Sequence, residues 1–237
     1  MLNKDKIYTN PQKIVKPFRF NKKVAEVFDD MINRSVPLYD VLQSLLAELA
    51  LHYYKPDTVI YDLGCSTGET LLRIARTNQT MLTAIGIDTS LDMLQKAKNK
   101  CGHYPNLTFM QENILNLEMQ PCSVAIASYV LQFITPTSRV AFLRKIYNSL
   151  CPGGILLISE KLDMDNINAD IVCLHEKFKQ DNFYSELEIK QKREALENVL
   201  IPCTLAQNVE MIKESGFSKP HVVFQYLNFC CLLAVKT

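Results

Sequence analysis

Two short segments of this chain carry residues whose types and spacing suit the binding of a small molecule. The first is Asp62-Leu63-Gly64-Cys65-Ser66-Thr67-Gly68, the end of an apolar, β-branched run that passes at once into helical spacing. A strand that ends in a glycine loop and opens a helix leaves free N–H groups at the crevice beyond the strand ends, where sheets of this kind hold ligands. Gly64 suits the tight turn, Gly68 a close approach of the chain to a ligand or strand, and Ser66 adds a hydroxyl. The second is Asp88, which ends the next apolar run 24 residues after Gly64. An acidic side chain about 20 residues beyond such a loop receives a ribose, because both carboxylate oxygens accept from adjacent hydroxyls. Each feature has a plainer reading, an ordinary turn with two convenient glycines and a solvated Asp beside a helix cap at Ser90. Together they favour a nucleoside site. The G-x-G-x-x-G pattern of dinucleotide binding is not present, which argues against NAD.

A third feature lies far along the chain. Ile189, Arg193, Leu196 and Leu200 follow i, i+4, i+7, i+11, so the spacing predicts Arg193 within an apolar helical stripe. The alternative is an Arg on a solvated face, paired with Glu197.

These residues need a sheet to position them. Residues 58–64, 81–88, 107–110, 123–130 and 155–160 read as strands. They alternate with helical segments 69–77, 90–100 and 136–150, the second capped by Ser90 and the third stopped at Pro152-Gly153-Gly154. Strands alternating with helices mean βαβ units and a mostly parallel, doubly wound sheet. Residues 1–56 read as a helical addition, with Asn21 capping one helix and Pro37 in the first turn of a second. Residues 57–161 form the nucleotide-binding core, 162–218 a helical insert, and 219–237 two closing strands around Leu227-Asn228, with an antiparallel last strand. With no linker or repeat in view, a single unit over 1–237 is expected.

Composition narrows the partners. The 237 residues are 48% hydrophobic and 22% charged, a globular profile. Lys+Arg 26 against Asp+Glu 25 gives a net charge of +1, with no basic run of the kind a nucleic-acid binder shows. No apolar stretch is long enough to cross a membrane, and the first residues lack the apolar core of a signal peptide. The eight cysteines form no CxxC pair and no zinc spacing, so reduced thiols and a cytoplasmic location are the simplest expectation. Four scattered histidines, His52, His103, His175 and His221, have no ligand spacing, so no metal is expected. His175 and Glu176 read as surface or core residues. Glu160-Lys161 faces either the crevice or solvent. Only seven glycines occur, fewer than half of what average usage near 7% gives, and six of them fall from Gly64 to Gly154.

DLGCSTG followed by GIDTS resembles the first two motifs of class I S-adenosyl-L-methionine-dependent methyltransferases. Longer blocks spread over nearly the whole chain, VAEVFDDMINRSVPLY, LQFI, LRKIY, LISEK, FYSELEIKQKREALENV and FQYLNF, resemble one branch, the carboxy-S-adenosyl-L-methionine synthases. That resemblance implies a Rossmann-like methyltransferase fold and a homodimer. It also implies that S-adenosyl-L-methionine is carboxylated on its sulfonium methyl while prephenate becomes phenylpyruvate, the product serving tRNA wobble-uridine modification. By the same resemblance Arg193 binds the product carboxylate, as an arginine fork suits. Tyr39 contacts the nucleoside substrate. Gly64, Cys65 and Ser66 line its methionine end, Asp88 and Thr89 meet the ribose, and Asn113 and Ile114 meet the adenine. Cys65 is either a low-pKa nucleophile near a helix N-terminus or a small inert spacer. Three positions depart from the family pattern: Thr89 and Ser128 each replace an Asn, and Asn113 an Asp. Ser128 ends the fourth strand beside the expected reaction centre. An ordinary methyltransferase of small molecules and a non-catalytic nucleoside-binding subunit are the competing readings.

Overall fold

A computed structural model describes residues 3–77 and 82–237. Met81, the first residue of the strand expected over 81–88, lies outside the described residues. Seven strands form one sheet in the order β3-β2-β1-β4-β5-β7-β6. They are β1 (Val59–Leu63), β2 (Thr83–Asp88), β3 (Leu107–Gln111), β4 (Cys122–Ser128), β5 (Leu150–Lys161), β6 (His221–Tyr226) and β7 (Phe229–Val235). The first five are parallel, and β7 runs antiparallel to β5 and to β6. All five residues of β1 and six of the seven in β4 are buried. Near-continuous apolar runs are what strands covered on both faces require.

One face of the sheet packs against α5 (Pro136–Ser149) and α8 (Leu205–Glu214), through Phe142, Leu143, Ile146 and Ile212. The other face packs against α2 (Tyr39–Tyr53), α3 (Glu69–Thr77) and α4 (Leu91–Cys101), through Leu42, Leu46, Leu71, Ile74 and Leu94. The expected caps are present: Asn21 Oδ1 accepts from Val24 N at the head of α1 (Lys22–Ser35), and Ser90 Oγ from Met93 N at the head of α4.

The helical additions close over the ends of the strands. α6 (Asn168–Asp181) and α7 (Glu186–Leu196) follow β5, and α7 starts in a capping box of Ser185 and Glu188. The N-terminal segment is not helical throughout, as the reading of 1–56 has it. Residues 3–20 form an irregular strap laid along α7, because their polar backbone finds partners there. Gln12 N donates to Gln191 Oε1 (2.7 Å), Gln191 Nε2 to Tyr8 O (2.8 Å), and Phe18 N to Ala195 O (2.8 Å). Tyr184 OH donates to Asp5 Oδ2 (2.5 Å). Beneath the strap Tyr8, Phe18, Phe28, Met31, Met93 and Ala195 form a third apolar cluster, which joins the strap and α1 to α4 and α7.

Three local expectations shift. α2 starts at Tyr39 rather than Pro37, because Leu38 precedes it in the left-handed region at φ 54°. β4 stops at Ser128, since Tyr129 turns away at φ 59°. β5 begins at Leu150, and Pro152-Gly153-Gly154 lies within it where its register against β4 shifts.

Candidate active site

Beyond the carboxyl ends of β1, β2, β4 and β5 lies a cavity of about 450 Å³, roofed by α1, the strap and the α6–α7 insert. That volume falls in the range of small-molecule sites. Gly64, Cys65, Ser66, Asp88, Thr89, Asn113, Ile114, Tyr39 and Ser128 all line it. Nine of the ten expected residues therefore meet at one place.

The loop after β1 is held by backbone. Gly64 N and Cys65 N both donate to Ile87 O, at 2.7 and 2.9 Å, which ties the loop to the end of β2. Gly64 sits at φ 83°, and a Cβ there would come within 2.6 Å of Val130 Cγ2, so a side chain has neither the conformation nor the room. Ser66 takes φ 48°, a cost of about 1–2 kcal/mol for a residue with a Cβ. That turn aims Ser66 N at Asp88 Oδ2 (2.9 Å), while Ser90 N donates to Asp88 Oδ1 (2.8 Å). Each Asp88 oxygen keeps a further lone pair, enough for two ribose hydroxyls.

The floor is acidic. Asp62, on β1, is 2% exposed, its Oδ2 has no hydrogen-bond partner, and it lines the cavity. Burial first, and then the Asp88 carboxylate, push its pKa up to about 7. Burial raises Asp88 as well. An unpaired buried carboxylate costs free energy unless a cation joins it, which marks this floor for a positively charged ligand. Burial, with Asp62 and Asp88 beside it, raises the Cys65 thiol well above its usual range, which favours the inert spacer over the low-pKa nucleophile. The Tyr39 phenol, buried and facing Glu69, Asp29 and Asp62, is likewise held protonated as a donor.

At the far side β4 ends in two further unpartnered groups, Ser128 Oγ and Tyr129 OH. Glu160 is buried and props the adjoining turn, accepting from Val130 N (3.1 Å) and Leu131 N (2.8 Å) at one oxygen and Gln132 N (3.0 Å) at the other. It faces neither crevice nor solvent, whereas its neighbour Lys161 lines the cavity. Asn113 uses Oδ1 to hold Leu115 N (3.0 Å), which shapes the loop after β3 next to Ile114.

Arg193 is the exception. It lies outside the cavity, its side chain 62% exposed, with Nη1 2.7 Å from Glu176 Oε1. Of the stripe Ile189, Arg193, Leu196 and Leu200, Ile189 is buried and Leu196 and Leu200 line the cavity, but Arg193 falls off it, because α7 turns Gln191 and Ala195 inward and ends at Leu196. Lys192, one residue earlier, lines the cavity. With Lys161, whose crevice-facing alternative is the one realised, and the neutral His175 it forms a wall in which Lys192 and His175 were not anticipated from the sequence. His175 is buried, and its Nε2 donates to the Ser35 carbonyl (2.7 Å). Burial, with Lys179, Lys161 and Lys192 around it, lowers its pKa to about 3, so the ring is neutral. Asp62 had a legible signal, a lone carboxylate inside an apolar strand. Lys192 and His175 had none.

Among the described residues no group of three or more His, Cys, Asp or Glu side chains converges as a metal site requires, and no helix is long and apolar enough to cross a membrane.

Comparisons with known proteins agree with this geometry. Residues 60–154 match the family described as "Methyltransferase domain". The human N-acetylserotonin methyltransferase, solved with S-adenosyl-L-methionine, superposes with a TM-score of 0.61 over 91% of this chain and 55% of its own, at 15% identity. The magnesium protoporphyrin IX methyltransferase of Synechocystis, solved with S-adenosylhomocysteine, gives 0.58 over 84% and 82%, at 18% identity. These likenesses establish the class I methyltransferase fold. Sequence relatives go further. The carboxy-S-adenosyl-L-methionine synthase of Desulfotalea psychrophila is 43% identical over 98% of this chain and 97% of its own. That of Aliivibrio fischeri is 40% identical over the full length of both. At that identity over the whole length, the chain belongs to the carboxy-S-adenosyl-L-methionine synthase family.

Proposed function

We infer that this chain converts S-adenosyl-L-methionine into carboxy-S-adenosyl-L-methionine, with prephenate supplying the carboxyl group and leaving as phenylpyruvate. The observation that carries this reading is the pairing of opposite charges in one cavity: Asp62 and Asp88 on the floor, Lys161 and Lys192 on the wall. A methyl donor alone gains nothing from ammonium groups beside its sulfonium, since like charges repel. A reaction between a sulfonium and an anion gains from both.

Residue roles follow from placement and resemblance. Gly64, Cys65 and Ser66 receive the methionine end, Asp88 and Thr89 the ribose, and Asn113 and Ile114 the adenine. Tyr39 is a phenol donor to a carboxylate, and Ser128 stands beside the methyl group. The cover built from residues 1–56 and 162–218 belongs with the core to a single unit and keeps water out, as a transient ylide requires. The chemistry balances without an added oxidant. The sulfonium methyl gives up a proton, prephenate loses its ring carboxyl and ring hydroxyl as it becomes aromatic, and the carboxyl joins the methyl carbon. The hydroxyl leaves with the methyl proton as water.

Arg193 keeps the role of product-carboxylate partner that the resemblance implies. Its exposed position suits that role when a second copy of the chain presents it, in the homodimer the resemblance also implies. The product then serves as carboxymethyl donor for wobble-uridine modification of tRNA. This enzyme needs no direct nucleic-acid or membrane contact and works in the cytoplasm. Incubating the protein with S-adenosyl-L-methionine and prephenate should yield phenylpyruvate and a nucleoside one carboxylate heavier. S-adenosylhomocysteine as the product, or no turnover, would overturn the reading.

A further inference from the structure

The basic wall has more charge than its own neighbours use. Lys161 ends β5, Lys179 lies on α6 and Lys192 on α7, and all three surround the neutral ring of His175. Neither Lys161 nor Lys179 has a hydrogen-bond or ion-pair partner for its ammonium among the described residues, and Lys192 Nζ has only the Ser35 hydroxyl at 2.9 Å. The charged groups around them from every packed element are Arg193 and Glu176, already paired at 2.7 Å, and Arg34, Asp5 and Asp30. Arg34 Nη1 takes Asp30 at 3.1 Å. Glu188 also faces Arg34, and among the described residues no carboxylate pairs with Lys161, Lys179 or Lys192, so positive charge is left uncompensated beside the cavity. Burial and mutual repulsion lower Lys179 and Lys192 to about 8, the strain expected of ammonium groups awaiting an anion. Two of the three, Lys161 and Lys192, reach the cavity where unpartnered Ser128 Oγ and Tyr129 OH also end.

We propose that Lys161 and Lys192 are the seat of a dianionic co-substrate, an organic dicarboxylate, with Lys179 behind them supporting the field. The seat holds the dicarboxylate at the carboxyl end of β4, against the expected position of the sulfonium methyl. His175, uncharged and locked to the Ser35 carbonyl, spaces the ammonium groups without adding a third charge. This rests on the functional reading above and names the residues that select its second substrate.

The test compares two unreactive probes by calorimetric titration on protein saturated with S-adenosylhomocysteine: phenylsuccinate, a dianion, and 3-phenylpropionate, its monoanionic counterpart. The wild-type protein should bind phenylsuccinate at least tenfold more tightly. Lys192→Gln and Lys161→Gln should each erase most of that preference, while affinity for S-adenosylhomocysteine stays within twofold, which reports an intact fold. Lys192→Arg should restore part of it. Equal affinity for the two probes in the wild type, or a preference that survives both glutamine variants, would overturn the inference whether or not the enzyme turns over. Retained preference for the dianion with no conversion of prephenate would overturn the functional reading alone.

Discussion

The floor and the wall of the cavity differ in charge, in origin and in how they are held. The floor, with Asp62, Asp88 and the 64–68 loop, comes from consecutive βα units and is fixed by backbone hydrogen bonds such as those of Gly64 N and Cys65 N to Ile87 O. The wall, with Lys161, His175 and Lys192, comes from three elements of the second half of the chain. It is fixed by side chains, through Ser35 and Gln191. The floor is the proposed nucleoside seat. The wall rests on the helical cover, and there the proposed second substrate is held. Binding of the nucleoside and of the anion should therefore be separable by substitution.

The largest effect is expected at Asp88. Asp88→Ala removes the proposed ribose acceptor and leaves Ser66 N and Ser90 N without theirs, so affinity for S-adenosyl-L-methionine should fall at least ~100-fold, about 3 kcal/mol. Calorimetric titration reads this directly, and a loss under tenfold would break the assignment of the floor. Gly64→Ala meets Val130 at a positive φ and should cost about 2–3 kcal/mol, lowering the melting temperature by roughly 5–10 °C. An unchanged melting curve would contradict the tight turn.

The third prediction concerns pH. Asp62 is raised to about 7 in the free protein, and a cationic ligand favours its ionised form. Nucleoside affinity should be constant above pH 7 and fall as pH drops through it, by up to about tenfold per unit. Asp62→Asn should flatten that slope, and a wild-type profile already flat from pH 8 to 5.5 would refute the role. The smallest effect is on stability at Arg193. Its exposed pair with Glu176 is of the kind worth under ~1 kcal/mol, so Arg193→Ala should move the melting temperature by no more than ~2 °C. A larger loss would place Arg193 in the cover of its own chain rather than on a free surface.

Nearly all of the floor was legible in the sequence because its logic is local. Strand, glycine loop, the cavity-lining Asp88 and the helix cap follow one another within thirty residues, and β1 through β4 fell close to their expected places. The wall was not legible because its logic is tertiary. Whether residue 192 or 193 faces inward depends on the rotation of α7, which the strap sets through Gln191 rather than the apolar stripe alone. His175 carries no ligand spacing, and its place follows from packing against Phe229 and Ser35. The strap itself escaped for the same reason: it has no periodicity, only partners.

The most direct measurement follows a label across the cavity from wall to floor. The protein is incubated with S-adenosyl-L-methionine and prephenate carrying carbon-13 in its ring carboxyl, and the released nucleoside is weighed. The label should appear in the nucleoside, one carboxylate heavier than the starting compound and in proportion to the phenylpyruvate formed. Phenylpyruvate formed with the label lost as carbon dioxide and the nucleoside unchanged would contradict a cavity that joins the two substrates.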